Sequence, residues 1–208
     1  KKYFDPNEME VLRANPTIKQ GDEEVPTSKK NANTRRMELL KYMQTLLTDC
    51  CKQHADQMLL SRCGCKVLRE VYITFPSKEL SDAIVEACDN GDDDDEDMGE
   101  YLSVFEHPVG QVSIKNLIIC DSDDKSEGDK NMTLTSALYT KYEGTLVDDI
   151  GSSNRGAFVL AAMIDSDSSG AVMKEIVEGK KEIKERIKQC KDASKPCAGF
   201  EALIKALK

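Results

Sequence analysis

Four segments of the chain fall into one frame when each is aligned on a glycine: GCKVLREVY from Gly64, GQVSIKNLI from Gly110, GAFVLAAMI from Gly156 and GFEALIKAL from Gly199. Four residues after each glycine stands Leu68, Ile114, Leu160 or Leu203. Seven after stands Val71, Leu117, Met163 or Ala206, and eight after stands Tyr72, Ile118, Ile164 or Leu207. Offsets four, seven and eight lie on one face of an α-helix. The glycines are 46, 46 and 43 residues apart. Ahead of each lies another apolar stretch with helical spacing, at 45–60, 78–88, 133–150 and 171–190. A helix pair recurring at this period specifies an all-α chain built as an α-solenoid. The second unit, YLSVFEHPVGQVSIKNLII, is rich in β-branched residues and taken alone could form strands. The register that it shares with the other three makes it helical.

The start of the chain is different. Asp5-Pro6-Asn7-Glu8 reads as a capping box with proline at the first helical position, predicting a short helix over 6–14. Residues 15–33, polar and carrying Pro16, Gly21 and Pro26, read as a linker or surface loop. A long helix is expected from near Thr34, with Met37, Leu40, Met43, Leu46, Leu47 and Cys50 recurring at three and four. This divides the chain into 1–27, a short helix and linker, and 28–208, the repeat region. A chain beginning with Lys also reads as a piece of something longer.

The net charge of −9 is unevenly spread. Residues 89–100 hold eight acids and no base, and residues 121–130 hold five acids and two bases; everything else carries a net of +2. Both runs are expected to be solvated loops. A calcium site in 89–100 is the other option, though the run lacks the spaced ligands of an EF-hand loop.

No cofactor or metal is expected. Cys63 and Cys65 are one residue too close for a zinc knuckle, and no second pair stands at a matching distance. Most of the eight cysteines fall inside apolar helical patterns, where a thiol behaves as a small hydrophobe. His54 and His107 are isolated from each other, and His107-Pro108 reads as the turn into the second glycine-led helix. No P-loop, nucleophile elbow, dinucleotide fingerprint or metal-hydrolase pair appears, so neither an enzyme nor a small-molecule substrate is expected. No apolar run approaches the ~20 residues that span a bilayer, and no secretory leader is visible, so no membrane is expected as a partner.

The glycine frames resemble the second helices of Puf (Pumilio-type) repeats. SKKNANTRRMELL, QHADQMLLSRCGCKVL, EHPVGQVSIKNLI, SSNRGAFVLAAMI and GFEALIKAL resemble, in that order, the C-terminal half of the nucleolar Puf-like proteins of the Puf-A type, with their penguin-like C-terminal region. The resemblance covers residues 28–208, and YFDPNE is similar to the entry to the same region. It implies an RNA-binding protein of the nucleus and nucleolus, with pre-ribosomal RNA and ribosome assembly proteins as partners. The implied role is ribosomal RNA processing and large-subunit assembly; some members also repress translation of messenger RNA.

Sequence-specific Puf repeats read one base with two or three side chains. The matching positions are the first, second and fifth after each glycine: Cys65, Lys66 and Arg69; Gln111, Val112 and Lys115; Ala157, Phe158 and Ala161; Phe200, Glu201 and Ile204. These depart from a base-reading set, so phosphate and shape recognition is expected instead. Lys66 and Arg69, with Arg62 nearby, are candidates for a phosphate-contacting stripe that Lys115 and Arg155 would extend. An ordinary solvated helix face is the other reading of these residues. Arg155 has a further option, pinning a loop through Asp149. Lys29, Lys30, Arg35 and Arg36 form the densest basic cluster, for RNA backbone, localisation or solubility. The competing reading of the whole chain is a protein-docking solenoid that holds assembly factors and touches no RNA. The acidic runs favour it, since a basic ribosomal protein could sit on them.

Overall fold

The structure is a computed structural model that describes residues 17–20, 23–26, 31–89, 102–123 and 133–207. The chain divides into two compact units, residues 1–47 and 48–208. The expected helix at 6–14 lies outside the described residues, as do Lys29 and Lys30.

In the first unit, strands β1 (Thr17–Gln20) and β2 (Glu23–Pro26) pair antiparallel, with Ile18 opposite Val25. Residues 15–33, expected as a linker or surface loop, thus hold a strand pair at 17–20 and 23–26. Two residues, Gly21 and Asp22, separate runs in which β-branched Thr17, Ile18 and Val25 favour extended backbone. Helix α1 (Ala32–Gln53) starts two residues before Thr34. Its apolar stripe is largely open: Met37, Met43 and Leu46 are exposed, as are Leu39 and Tyr42.

The described secondary-structure elements of the second unit are all helices. The unit holds the end of α1, then α2 (Ala55–Leu60), α3 (Gly64–Thr74), α4 (Lys78–Asp89), α5 (Gly110–Asp123), α6 (Leu134–Tyr142), α7 (Leu146–Asp149), α8 (Asn154–Ser166), α9 (Ala171–Glu178), α10 (Lys180–Asp192) and α11 (Ala198–Ala206). The glycine-led helices α3, α5, α8 and α11 pack side by side in chain order. Helices α2, α4, α6, α7, α9 and α10 form a second succession, each against the next. The two layers share one core. Leu68, Ile114, Leu160 and Leu203 are buried from the first layer, and Leu59, Leu80, Ile84, Leu134, Leu138, Val172 and Ile176 from the second. The β-branched second unit is helical, as its register required.

The recurring glycine has a steric cause. A Cβ on Gly110 or Gly156 would collide with the backbone carbonyl oxygen six residues earlier, of Val104 or Ile150. A Cβ on Gly64 would stand 2.8 Å from the Cα of Met58, again six residues earlier, and one on Gly199 would collide with the Asn154 carbonyl. Each layer helix thus begins in contact with preceding backbone, an approach open only to a residue without a side chain.

Hydrogen bonds between successive units reinforce the stack. The Ser113 hydroxyl donates to the Leu59 carbonyl at 2.8 Å, the Leu134 amide to the Tyr72 hydroxyl at 3.1 Å, and the Gly199 amide to Asn154 Oδ1 at 2.7 Å.

The acidic runs are not wholly loops. Asp89 ends α4, where Lys141 and Tyr142 bind it, and α5 continues through residues 121–123. Extending a formed helix adds one hydrogen bond per residue fixed, so a few polar residues prolong it at small cost. Residues 90–100 and 124–130 lie outside the described residues. The cysteines also need correction. All eight are free thiols, but only Cys51 and Cys88 are buried, and Cys50 and Cys63 are exposed.

Candidate nucleic-acid interface

Helices α3, α5 and α8 each turn their fourth, seventh and eighth residues inward, except that Ile164 of α8 is half-buried. The opposite side, around the second, fifth and ninth residues, is therefore the open face of the layer. On it stand Lys66, Arg69 and Ile73 from α3, Val112, Lys115 and Ile119 from α5, and Phe158, Ala161 and Asp165 from α8. From α11 come Glu201 and Ile204.

The first position after the glycine does not belong to this face throughout. Ala157 and Phe200 are buried in the core, at 0% and 2% exposure. In the last two units that position packs protein, which leaves no complete base-reading triplet there.

The candidate basic residues differ in what they touch. Lys66 is exposed on α3, and Arg62 is exposed just ahead of that helix. Arg69 Nε donates to Cys120 Sγ of α5 at 3.3 Å, and its Nη1 lies 3.7 Å from Glu70 Oε1. Lys115 is half-buried, with Nζ 6.0 Å from the centre of the Phe158 ring. The ring face attracts the cation and holds it in the gap between α5 and α8. Arg155, exposed at the start of α8, donates from Nη1 to the Glu106 carbonyl at 3.0 Å. It pins the loop before α5 through that backbone oxygen, where the sequence suggested Asp149.

At the far end, Glu201 is held by Lys191 of α10 at 2.8 Å. The hydrogen bond from Lys191, then that from Cys197, keeps its carboxyl below the usual range. The acid on the open face of α11 is thus matched by a cation from the other layer.

His107 shapes the entry to α5, as its neighbour Pro108 suggested. Its Nδ1 accepts the amides of Val109 and Gly110, each at 3.2 Å. These are otherwise unpaired donors at a helix start. Arg35 and Arg36 are exposed on α1, in the first unit. Lys66, Arg69, Lys115 and Arg155 are thus brought onto adjacent helices of one layer.

Sequence reasoning missed the pairing of Lys115 with Phe158. Its trace was there: the fifth position of one unit and the second of the next are neighbours across stacked helices. Among the described residues, no group of three or more His, Cys, Asp and Glu side chains could hold a metal ion. No helix among them is long and apolar enough to cross a membrane.

Comparison with known proteins agrees with the resemblance read from the glycine frames. Human Pumilio homolog 3 is 28% identical over 149 residues, 67% of this chain and 22% of that protein. Rat Pumilio homolog 3 is 28% identical over 195 residues, 86% of this chain and 27% of that protein. The chain therefore spans about a quarter of the length of these relatives. The crystal structure of human Puf-A superposes with a TM-score of 0.73 at 24% identity, covering 97% of this chain and 36% of that one. The fold is thus the Puf-A helical-repeat fold. The CPL (NUC119) domain matches residues 1–130, more than half of the sequence, and the chain belongs to that family.

Proposed function

We propose that the chain is a non-catalytic RNA-binding repeat module that holds nucleic acid through phosphates and shape. Its place of action is the nucleolus, on pre-ribosomal RNA during processing and large-subunit assembly, with ribosome assembly proteins as further partners. The observation that carries this reading is the placement of Lys66, Arg69 and Lys115 on the open face of adjacent helices in one layer. Cationic side chains on successive helices of one layer suit a phosphate backbone, whose affinity comes largely from released counterions. Kinship with the Pumilio homologs supports a nucleic-acid partner, and the buried first positions of the last two units favour phosphate over base contact.

The test is a salt series of RNA binding with several unrelated sequences. Replacing Lys66 and Arg69 by alanine should weaken all of them about equally. It should also flatten the salt dependence by about one unit for each phosphate no longer held. Weakening on one sequence with the others spared would show base readout. Replacing Arg35 and Arg36 asks whether the first unit contributes.

A second reading has an observation of its own. Ile73, Val112 and Ile119 expose apolar surface on the same face, at 42%, 40% and 43%. That favours a protein partner, and the face would then dock an assembly factor. Unchanged RNA affinity in both variant pairs would select it.

A further inference from the structure

Helix α10 sorts its charges by side. At about 100° per residue, Ile183, Ile187 and Cys190 point one way, and Ile183 is buried. Lys180, Lys181, Lys184, Lys188 and Lys191 occupy one flank, a sector about 100° wide that contains no acid. Asp192 and Glu185 border that sector on the side opposite the isoleucines, and Glu182 lies further round, towards Arg186. From Lys180 to Lys191 the basic flank runs about 16 Å at the rise of an α-helix.

One of these acids has a structural role. Glu182 pairs with Arg186, which also reaches Asp148 and the end of α7. The basic flank is mostly unmatched. Lys191 pairs with Glu201, while Lys180, Lys181, Lys184 and Lys188 have no carboxylate within ion-pair reach among the described residues. Helix stability does not explain them either, since lysines in the first turn oppose the positive end of the helix dipole. The Lys191–Glu201 pair fixes where the flank lies: its C-terminal end meets the open face of the four-helix layer at α11.

We propose that the basic flank of α10 is a second phosphate-binding surface, fitted to the backbone of an RNA duplex. It lies on the other helical layer and extends the track beyond α11, whose own open face carries an acid. The proposal rests on the reading of the chain as an RNA binder. A duplex is the better fit than a single strand because the flank carries no aromatic side chain on which unpaired bases could stack. Lysines act here as point charges that follow phosphate without reading sequence.

The experiment compares three proteins: wild type, the α10 variant Lys181→Gln, Lys184→Gln, Lys188→Gln, and the open-face variant Lys66→Gln, Arg69→Gln, Lys115→Gln. Glutamine keeps the helix propensity close to that of lysine. Each protein is titrated with a blunt RNA duplex and with a polyglutamate peptide over a series of salt concentrations. Circular dichroism confirms that the variants remain folded. The α10 variant is expected to bind the duplex at least tenfold more weakly, with a salt slope lower by two to three units, about 0.9 for each phosphate. If it binds the duplex like wild type while the open-face variant loses affinity, this inference falls and the proposed function stands. If the α10 variant loses affinity and the open-face variant does not, the flank stands and the open face is wrongly assigned. Loss of polyglutamate binding with duplex binding intact would make the flank a site for an acidic protein and overturn the proposal. A wild-type chain that binds no duplex overturns both readings.

Discussion

At the scale of single residues, the fold depends on places where a small change has no room. The four repeat glycines are graded in this respect. An added methyl would collide most severely at Gly156 and Gly199, less at Gly110, and least at Gly64, where the nearest atom is 2.8 Å away. In all four cases the nearest atom is backbone, which cannot rotate aside, and the closeness of approach sets the order. Gly156→Ala should therefore cost about 3 kcal/mol or more, the upper part of the range for overpacking, and Gly64→Ala distinctly less. Urea unfolding midpoints check the order, and equal costs would refute the steric account. Asp89 gives a second test. Burial pushes its carboxyl up, but hydrogen bonds from Lys141 and Tyr142, with the Lys141 charge, outweigh burial and hold it below the ordinary value. The Tyr142 hydroxyl donates at 2.5 Å. A depressed carboxyl contributes stability above its unfolded value, near about pH 3.9, and that stability is lost as the pH falls through the folded value. Asp89→Asn should thus cost about 1 kcal/mol near neutrality, given the partial exposure of the pair. The gap to wild type should close as the solution is acidified below about pH 4. A gap independent of pH would sink the assignment.

Among the elements, helix α7 is too short to hold itself, since a four-residue helix has no interior to offset its nucleation. Its two ends are clamped by other helices. Glu175 of α9 accepts the Leu146 amide at 3.0 Å, and Arg186 of α10 donates from Nη1 to the carbonyls of Val147 and Gly151, each at 2.8 Å. A carboxylate thus sits at the positive end and a guanidinium at the negative end, as the helix dipole favours. Arg186→Met should cost about 2 kcal/mol, because the two carbonyls lose a charged donor. Arg186→Lys should recover less than half of that, since one ammonium cannot serve the two carbonyls held by Nη1 and also the Asp148 and Glu182 carboxylates held by Nη2; thermal unfolding reads both. The sequence shows Arg186 only as a partner of Glu182 four residues before, because an i,i+4 pair is local and the contact with α7 is not. The same division runs through the rest of the fold. Offsets of four, seven and eight from each glycine were legible because helical burial is periodic. The β1–β2 pair was not, because four-residue strands between polar residues leave no period to read. The exposed stripe on α1 was not either, since periodicity shows which residues share a face and never what covers that face. Of the candidate site, the basic residues were legible by position, while the packing of Lys115 on Phe158 depends on the stacking of two helices whose leading glycines stand 46 residues apart.

For the whole molecule, the question is how a chain with a net charge of −9 could hold a polyanion. The acids are concentrated in 89–100 and 121–130, and the remaining residues carry a small positive excess. Local contact and global field therefore act in opposite directions. The field of the acidic runs acts over about one Debye length, about 10 Å at 0.1 M salt, and more at lower salt. Replacing Asp92, Asp93, Asp94, Asp95, Glu96 and Asp97 by their amides removes six negative charges without touching a described residue. If the chain binds RNA through its basic helix faces, this variant should bind more tightly at low salt, by a few-fold or more. The gain should shrink towards nothing as salt is raised and the field is screened. The protein-docking reading expects the reverse of a gain. There the acidic run is the contact itself, so the same variant should lose affinity for a basic ribosomal protein and leave RNA affinity unmoved. Binding of a short RNA and of a basic peptide, each measured at two salt concentrations, separates the two. A salt-dependent gain for RNA supports the nucleic-acid reading, and a loss confined to the peptide supports the scaffold.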